Sequence, residues 1–145
     1  MMQLMPSTAR TLARRLGYGG GELEDADYNM TLGSAYLGQL VDRFSGSYVM
    51  AAAAYNAGPG RPAQWATICG DPRASSTAPT DFIECIPFSE TRDYVVRVLE
   101  ATEVYRARLA GGKARLMIAA DLKRGGYGYS GANTLTSSLG VSASR

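Results

Sequence analysis

The sequence contains no histidine, and this absence narrows its possible chemistry more than any other feature. Without an imidazole there can be no Ser-His-Asp triad, no Cys-His pair and no histidine-based metal site. Acid-base chemistry must then fall to carboxyl groups, with tyrosine and lysine as less common alternatives. We expect the chain to use no metal ion and no cofactor.

Long apolar runs and dense basic clusters are also missing. No run approaches the roughly 20 apolar residues that span a bilayer, and the N-terminus shows no basic segment followed by an apolar signal region. Through residue 109 the chain holds 10 basic and 12 acidic residues, with no group of Lys or Arg longer than a pair. Nucleic-acid binding needs a denser basic face. We therefore expect neither a transmembrane segment nor a nucleic-acid partner.

Cysteine is scarce, since Cys69 and Cys85 are the only two. Both lie in a loop-rich stretch, which is compatible with one disulfide in an oxidising compartment. Two unpaired cysteines acting as small apolar side chains fit the same pattern. If the disulfide forms, it closes a loop of about 15 residues and stabilises the fold by about 3 kcal/mol.

Composition predicts one globular domain and a different C-terminal segment. The chain has 145 residues, of which 46% are hydrophobic and 19% charged, an ordinary balance for a folded domain. The last 36 residues hold 7 Gly and 5 Ser with weak periodicity. We predict a folded domain over residues 1–109 and a flexible or loosely docked tail over residues 110–145.

Apolar residues recur at helical spacing along residues 1–109, and no strand-like alternation competes with them. A first helix is predicted from Pro6 to the residue before Gly17. A second helix is predicted to start with Asn29 as its N-cap and to end at Gly46. These patterns predict a mainly α fold.

Serines mark the start of two later helices. Ser47 is predicted to cap a helix over residues 48–56, and Ser89 to cap the longest helix over residues 90–109. A short helix over residues 61–68 lies between them, followed by a loop rich in Pro, Ser and Thr. Trp65 lies on this short helix, where a lone Trp is more typical of a core than of a sugar platform.

Two strings of residues carry most of the functional signal. Residues 2–9 read Met-Gln-Leu-Met-Pro-Ser-Thr-Ala, and residues 54–61 read Ala-Tyr-Asn-Ala-Gly-Pro-Gly-Arg. Each string sets an uncharged polar side chain among apolar neighbours beside a forced turn. This combination is typical of a cleft for an uncharged, hydroxyl-rich ligand.

Two further strings have the same order and spacing as those of a known family. These are Leu-Gly-Ser at residues 32–34, which follows Asn29, and Ile-Pro-Phe-Ser-Glu-Thr-Arg-Asp-Tyr-Val at residues 86–95. From Met2 to about Leu109 the chain resembles the soluble lytic transglycosylase family. The resemblance implies a lysozyme-like helical domain, followed in this chain by the Gly/Ser-rich C-terminal tail.

The resemblance also implies an activity, a substrate and a location. Such enzymes cut the β-1,4 bond between N-acetylmuramic acid and N-acetylglucosamine in peptidoglycan and leave a 1,6-anhydro sugar. One glutamic acid protonates the glycosidic oxygen and then takes a proton from the C6 hydroxyl as that hydroxyl attacks C1. We expect peptidoglycan glycan strands as the partner, and a periplasmic or cell-envelope location.

In the family this glutamate, followed by Ser, precedes the Met-Gln-Leu-Met-Pro string by a short distance, which places it before Met1. We therefore expect an N-terminally truncated domain that is inactive without that residue. Glu90 is a poor replacement, because a helix N-terminus favours the ionised carboxylate, which cannot donate a proton.

The resemblance assigns substrate contacts to two residues of the first string. Gln3 is expected to hydrogen-bond sugar hydroxyls or the N-acetyl group, and the alternative is an exposed side chain at a frayed terminus. Met5 is expected to form a soft apolar wall of the cleft, and packing in the core is the alternative.

The resemblance assigns further substrate contacts to the two later strings. Tyr55 and Asn56 are expected to line the cleft, although Asn56 also suits the C-terminal end of a helix. Glu90 is expected to contact substrate or support the transition state, and its alternative is a residue that stabilises the helix dipole. Tyr94 is expected to reach the same cleft.

Two other functions remain open at this point. A lysozyme-type hydrolase would use water in place of the C6 hydroxyl. A non-catalytic peptidoglycan-binding or scaffold module would bind the same glycan without cleaving it.

Overall fold

The computed structural model describes residues 4–126, and within this range the chain folds into helices without a β-strand. In chain order these helices are α1 (Pro6–Leu16), α2 (Ala26–Arg43), α3 (Tyr48–Ala57), α4 (Arg61–Cys69), α5 (Pro79–Cys85), α6 (Ser89–Leu109) and α7 (Ile118–Leu122). The chain divides into two compact units, with the boundary after Gln39. The mainly α prediction is confirmed.

The ends of α1 follow the sequence prediction. Pro6 occupies the first helical position, where its missing N–H costs no hydrogen bond. Gly17 ends the helix with φ of 70°, a left-handed conformation that other residues adopt only with strain. The Tyr18 N–H then donates to the Ala13 carbonyl at 3.0 Å. Leu12 on the inner face of α1 is buried.

Helix α2 begins before the predicted cap. Its first turn is capped by Asp25, whose Oδ1 accepts a hydrogen bond from the Tyr28 N–H at 2.8 Å. Asn29 lies inside the helix, is 4% exposed, and its Nδ2 donates to the Leu23 carbonyl at 3.0 Å. The prediction of Asn29 as N-cap is therefore wrong. Asp25 accepts the hydrogen bond from a free N–H group of the first turn, and the buried Asn29 amide bonds to the Leu23 carbonyl instead.

Helix α3 is the central element of the second unit and packs against α4, α6 and α7. Ser47 caps it as predicted, since the Met50 N–H donates to the Ser47 Oγ at 3.2 Å. The four alanines at residues 51–54 are all buried, and their small side chains let neighbouring helices approach closely. Gly58 ends the helix with φ of 98°.

A disulfide joins the end of α4 to the end of α5. Cys69 and Cys85 are bonded, with their Cα atoms 5.9 Å apart. The disulfide is therefore confirmed, and the alternative of two unpaired cysteines is wrong. Helix α5 was not predicted from the sequence, because its seven residues are too few to show a period. Pro79 begins it, and Phe82 and Ile83 anchor it in the core.

Helix α6 starts one residue earlier than predicted. Phe88 occupies the N-cap position without a side-chain hydrogen bond, so the prediction of Ser89 as the cap is wrong. The apolar side chains along one side of α6 are buried at Val95 and Leu99. Further along the helix they are exposed, with Leu109 at 81% exposure. Only the first half of α6 therefore contributes strongly to the core.

Helix α7 lies against α6 through a partly buried ionic network. Arg106 binds Glu103 at 2.5 Å and Asp121 at 2.8 Å, while Glu103 also accepts a hydrogen bond from the Met117 N–H at 3.1 Å. Burial alone would lower the pKa of the Arg106 guanidinium, but the bonds and charges of Asp121 and Glu103 outweigh it and raise the pKa. Ion pairing thus holds α7 against α6, within the segment of residues 110–145 that was predicted to form the tail.

The stretch from residue 4 to residue 126 contains no helix with the length and apolar character that crossing a membrane requires.

Replacing Cys69 and Cys85 together by alanine should destabilise the fold by about 3 kcal/mol, or lower the melting temperature by about 10 °C, because the unfolded chain regains the entropy of the closed loop. Thermal unfolding followed by circular dichroism measures this. Reductant should lower the melting temperature of the parent chain and leave the double variant unchanged. Equal melting temperatures without reductant would contradict the prediction.

Asp121→Asn should destabilise the chain by about 2 kcal/mol, because Arg106 would keep only one carboxylate partner in a partly buried site. Urea unfolding measures the free energy. Glu100→Gln is the matched control, because Glu100 is exposed on the same helix α6, and it should leave the midpoint unchanged. Equal effects of the two substitutions would show that the network adds nothing to stability.

Candidate functional site

Four of the predicted substrate contacts fall where the end of α3 meets the start of α6. Tyr55 and Asn56 lie in the last turn of α3, and Glu90 and Tyr94 lie in the first two turns of α6. Because α3 and α6 pack against each other, residues distant in sequence meet at one corner. We call these four residues the α3–α6 corner.

The two tyrosines of the corner stack on each other. The ring centroids of Tyr55 and Tyr94 are 6.3 Å apart and their planes differ by 7°, a geometry typical of offset aromatic pairs. Tyr94 is half-buried, and this burial raises the pKa of its hydroxyl above the usual value. A tyrosine is neutral near pH 7 even without this rise, so Tyr94 combines an apolar ring with an uncharged, polar hydroxyl.

A hydrogen bond between side chains connects the same two helices. The Thr91 hydroxyl donates to the Asn56 Oδ1 at 2.7 Å. Thr91 is 1% exposed, whereas Asn56 is half-buried. The Asn56 Oδ1 is therefore bonded within the protein, and the other side of the amide is accessible to solvent.

Thr91 was not predicted as part of the site, although the sequence contained a signal. It lies four residues before Val95 and eight before Leu99, on the same side of α6. A threonine among buried apolar residues must find a hydrogen-bond partner for its hydroxyl. Its neighbour Glu90 was already a candidate site residue, so that partner could be expected near the site.

Glu90 is exposed at the second position of α6. Within residues 4–126 no ion pair engages its carboxylate. The free N–H groups of the first helical turn lie near this position and favour negative charge there. The carboxylate is thus accessible to hydroxyl donors on a ligand.

An aromatic contact supports the start of α6. Trp65 is 5% exposed, and its ring meets the Phe88 ring edge-on at a centroid distance of 5.6 Å. The Arg61 guanidinium also lies over the Phe88 ring, 5.4 Å from its centroid. Trp65 therefore packs in the core, as its position on a short helix indicated, and does not serve as a sugar platform.

Of the two candidates from the first string, the structure describes only Met5. Gln3 falls outside the described residues. Met5 is 68% exposed at the start of α1, so the alternative of core packing is wrong. Its role as a cleft wall stays a prediction.

Two concavities of the second unit are lined by other residues. One, of about 720 Å³, includes Asp71, Arg73 and Gly125, and the other, of about 420 Å³, includes Phe44 and Met50. Arg73 pairs with Asp71 at 2.7 Å, and this bond lowers the pKa of the Asp71 carboxyl. Asp71 and Arg73 therefore compensate each other, whereas the smaller concavity also includes Arg43, which lies over the Phe44 ring.

No three side chains of His, Cys, Asp or Glu come together as a metal site anywhere between residues 4 and 126. The polar groups of the α3–α6 corner are hydroxyls, one amide and one carboxylate. Such groups suit hydrogen bonding to a neutral ligand with many hydroxyls.

Comparison with known proteins gives a consistent result. The family model of the Transglycosylase SLT domain matches residues 1–76. The soluble lytic murein transglycosylase of Escherichia coli K12 is 38% identical over 128 residues, or 86% of this chain and 19% of that protein. Its Salmonella typhimurium counterpart is 37% identical over the same shares. The chain thus spans about a fifth of the length of these curated relatives.

A solved structure agrees in both sequence and fold. An inactive mutant of the lytic transglycosylase Slt from Pseudomonas aeruginosa is 41% identical, with a TM-score of 0.66 over 78% of this chain and 18% of that one. The lysozyme-like helical fold predicted from the motifs is confirmed. Because the family model covers more than half of its residues, the chain belongs to the transglycosylase SLT domain family of lytic transglycosylases.

Proposed function

We propose that this chain forms the glycan-binding part of a peptidoglycan lytic transglycosylase domain. The domain cleaves the β-1,4 bond between N-acetylmuramic acid and N-acetylglucosamine and leaves a 1,6-anhydro product. The observation that carries the proposal is the α3–α6 corner, where Tyr55 stacks on Tyr94 and Asn56 is held by the residue next to Glu90, in a chain of this family.

The chemistry of the corner suits an aminosugar polymer. The tyrosine pair offers an apolar surface for the C–H face of a pyranose ring, and the Tyr94 hydroxyl offers a hydrogen bond at the edge. Asn56 provides an amide for the acetamido or hydroxyl groups. The exposed Glu90 carboxylate accepts hydrogen bonds from sugar hydroxyls and favours positive charge as it develops on the sugar ring in the transition state.

Gln3 and Met5 are further glycan contacts in this proposal. The amide of Gln3 hydrogen-bonds sugar hydroxyls or the N-acetyl group. Met5 offers an exposed, polarisable apolar side chain. Both roles come from the family motif rather than from contacts in the structure.

In the proposed reaction one glutamic acid upstream of Met1 acts twice. It first protonates the glycosidic oxygen, and its carboxylate then takes the proton of the C6 hydroxyl as that oxygen bonds to C1. The attacking hydroxyl belongs to the substrate, so a second carboxylate to activate water is unnecessary. The solved Slt relative is an inactive mutant with glutamine in place of a glutamate, and glutamine can neither give nor take that proton.

We place the protein in the periplasm or cell envelope. The curated relatives are named for action on murein. The disulfide between Cys69 and Cys85 suits an oxidising compartment, because thiols are kept reduced in the cytosol.

Digestion of purified sacculi tests the reaction. The protein expressed with an upstream in-frame glutamate should release muropeptides that mass spectrometry identifies as 1,6-anhydro products, and glutamine at that position should abolish release. The chain without this upstream residue should bind sacculi and release nothing. Products with reducing ends would identify a hydrolase instead, and binding without release by the longer protein would identify a non-catalytic module.

Binding of chitotetraose tests the corner itself. Tyr94→Ala should weaken binding about fivefold, because a stacked ring contributes about 1 kcal/mol beyond its area, while Tyr94→Phe should keep most of the affinity. Isothermal titration calorimetry gives the dissociation constants. Tyr105→Ala is the matched control, since Tyr105 is 63% exposed further along α6. Weakening of equal size in the control variant would refute the assignment of the corner.

A further inference from the structure

The side chain of Asn56 presents two different faces to hydrogen-bonding partners. Its Oδ1 is an acceptor only, and its Nδ2 is a donor only. An asparagine that turns freely at the end of a helix offers either face to a ligand. The orientation of this amide therefore decides which groups of a glycan it can bind.

In the structure Thr91 holds the Asn56 amide in one orientation. Its hydroxyl donates to the Asn56 Oδ1 at 2.7 Å, and with 1% exposure Thr91 cannot turn toward water. Two heavy atoms on its Cβ further restrict its rotamers within α6. One of the two lone pairs of the Asn56 Oδ1 thus accepts a hydrogen bond from the protein, and this oxygen faces Thr91.

Other threonines of the chain use their hydroxyls differently. Thr11 donates to the Ser7 carbonyl, Thr67 to the Gln64 carbonyl and Thr102 to the Val98 carbonyl, each within its own helix. Such local bonds are the usual choice for a helical threonine. Thr91 lies in the first turn of α6, where no carbonyl of its own helix precedes it by three or four residues, and its hydroxyl reaches a side chain on a different helix instead.

The donor face of Asn56 is left for a ligand. Between residues 4 and 126, the Oδ1 contact with Thr91 is the hydrogen bond found for this amide. The Nδ2 is not among the buried polar atoms that lack a partner in that range, which leaves it accessible to solvent. It lies in the same corner as the stacked tyrosines.

We propose that Thr91 is a positioning residue, which orients the Asn56 amide so that its NH₂ group faces the glycan and selects sugars carrying an acetamido carbonyl. A carbonyl oxygen is a fixed acceptor for this donor, whereas a sugar that carries only hydroxyls offers weaker acceptors. This inference rests on the proposed function, because it names the sugar group that the corner recognises.

Paired oligosaccharides test the selectivity. Chitotetraose carries an acetamido group on each ring, and cellotetraose has the same linkage without it. The parent chain should bind chitotetraose more tightly. Thr91→Val, which removes the hydroxyl at nearly constant volume, should weaken chitotetraose binding about three- to tenfold and reduce the preference over cellotetraose. Thr91→Ser should keep binding within about twofold, because it keeps the donor.

Asn56→Asp tests the other end of the same hydrogen bond. It keeps an acceptor for Thr91 but replaces the NH₂ by a second oxygen. We expect it to lose chitotetraose binding at least as strongly as Thr91→Val. Adding Thr91→Val to Asn56→Asp should cause no further loss, because both changes remove one interaction.

The side-chain amide signal of Asn56 in a ¹⁵N NMR spectrum reports its orientation without any ligand. The signal is identified by its disappearance in Asn56→Asp. Thr91→Val should shift or broaden it, and Thr91→Ser should leave it close to its original position. This readout remains informative if Thr91→Val also lowers the melting temperature.

Different results overturn different claims. If the parent chain binds neither sacculi nor chitotetraose, the proposed function fails, while the NMR signal still decides whether Thr91 orients Asn56. If the parent chain binds chitotetraose and Thr91→Val binds it equally well, the positioning role is wrong. A proportional loss of chitotetraose and cellotetraose affinity, with an unmoved amide signal, also refutes it and leaves Thr91 a structural residue.

Discussion

The close packing of α3 against α6 is the constraint on which the candidate site depends. Four consecutive buried alanines make α3 thin along this stretch, and Val95 and Leu99 fill the facing side of the second unit's core. Only a short distance between the two helix backbones allows the Thr91 hydroxyl to reach the Asn56 amide at 2.7 Å. A larger side chain on the side of α3 that faces α6 would separate the helices and break that bond.

Several independent contacts support the ends of these helices. The disulfide holds the end of α5 on α4, and Trp65 holds Phe88, the residue just before α6. Arg106 fixes α7 on the far part of α6. Of these contacts, the Trp65–Phe88 pair lies next to the corner, whereas the disulfide and the ion pair support neighbouring helices and the far part of α6. A rigid support of this kind keeps binding groups oriented at little entropic cost on binding.

The site consists of neutral groups with one exception. Tyr55, Tyr94 and Asn56 offer ring faces, hydroxyls and an amide, and Glu90 alone carries a charge. The Tyr94 hydroxyl is protonated at neutral pH, and burial raises its pKa further above the usual value. This balance suits the neutral sugar groups of the glycan proposed as the ligand, because such groups bind through hydrogen bonds rather than through charge.

The sequence by itself determined the helical fold, the ends of α1, the Ser47 cap and the family, because periodicity and short motifs are local properties. The four residues of the α3–α6 corner came from the family motifs, and their binding role stays a prediction. The N-caps of α2 and α6 went wrong, since Asp25 competed with Asn29 for the first turn and Phe88 took the position next to Ser89. Helix α5 and the choice of a disulfide depended on packing between distant segments. Only the tertiary structure decided that Thr91 holds Asn56, because the two residues are 35 positions apart and meet only where two helices pack.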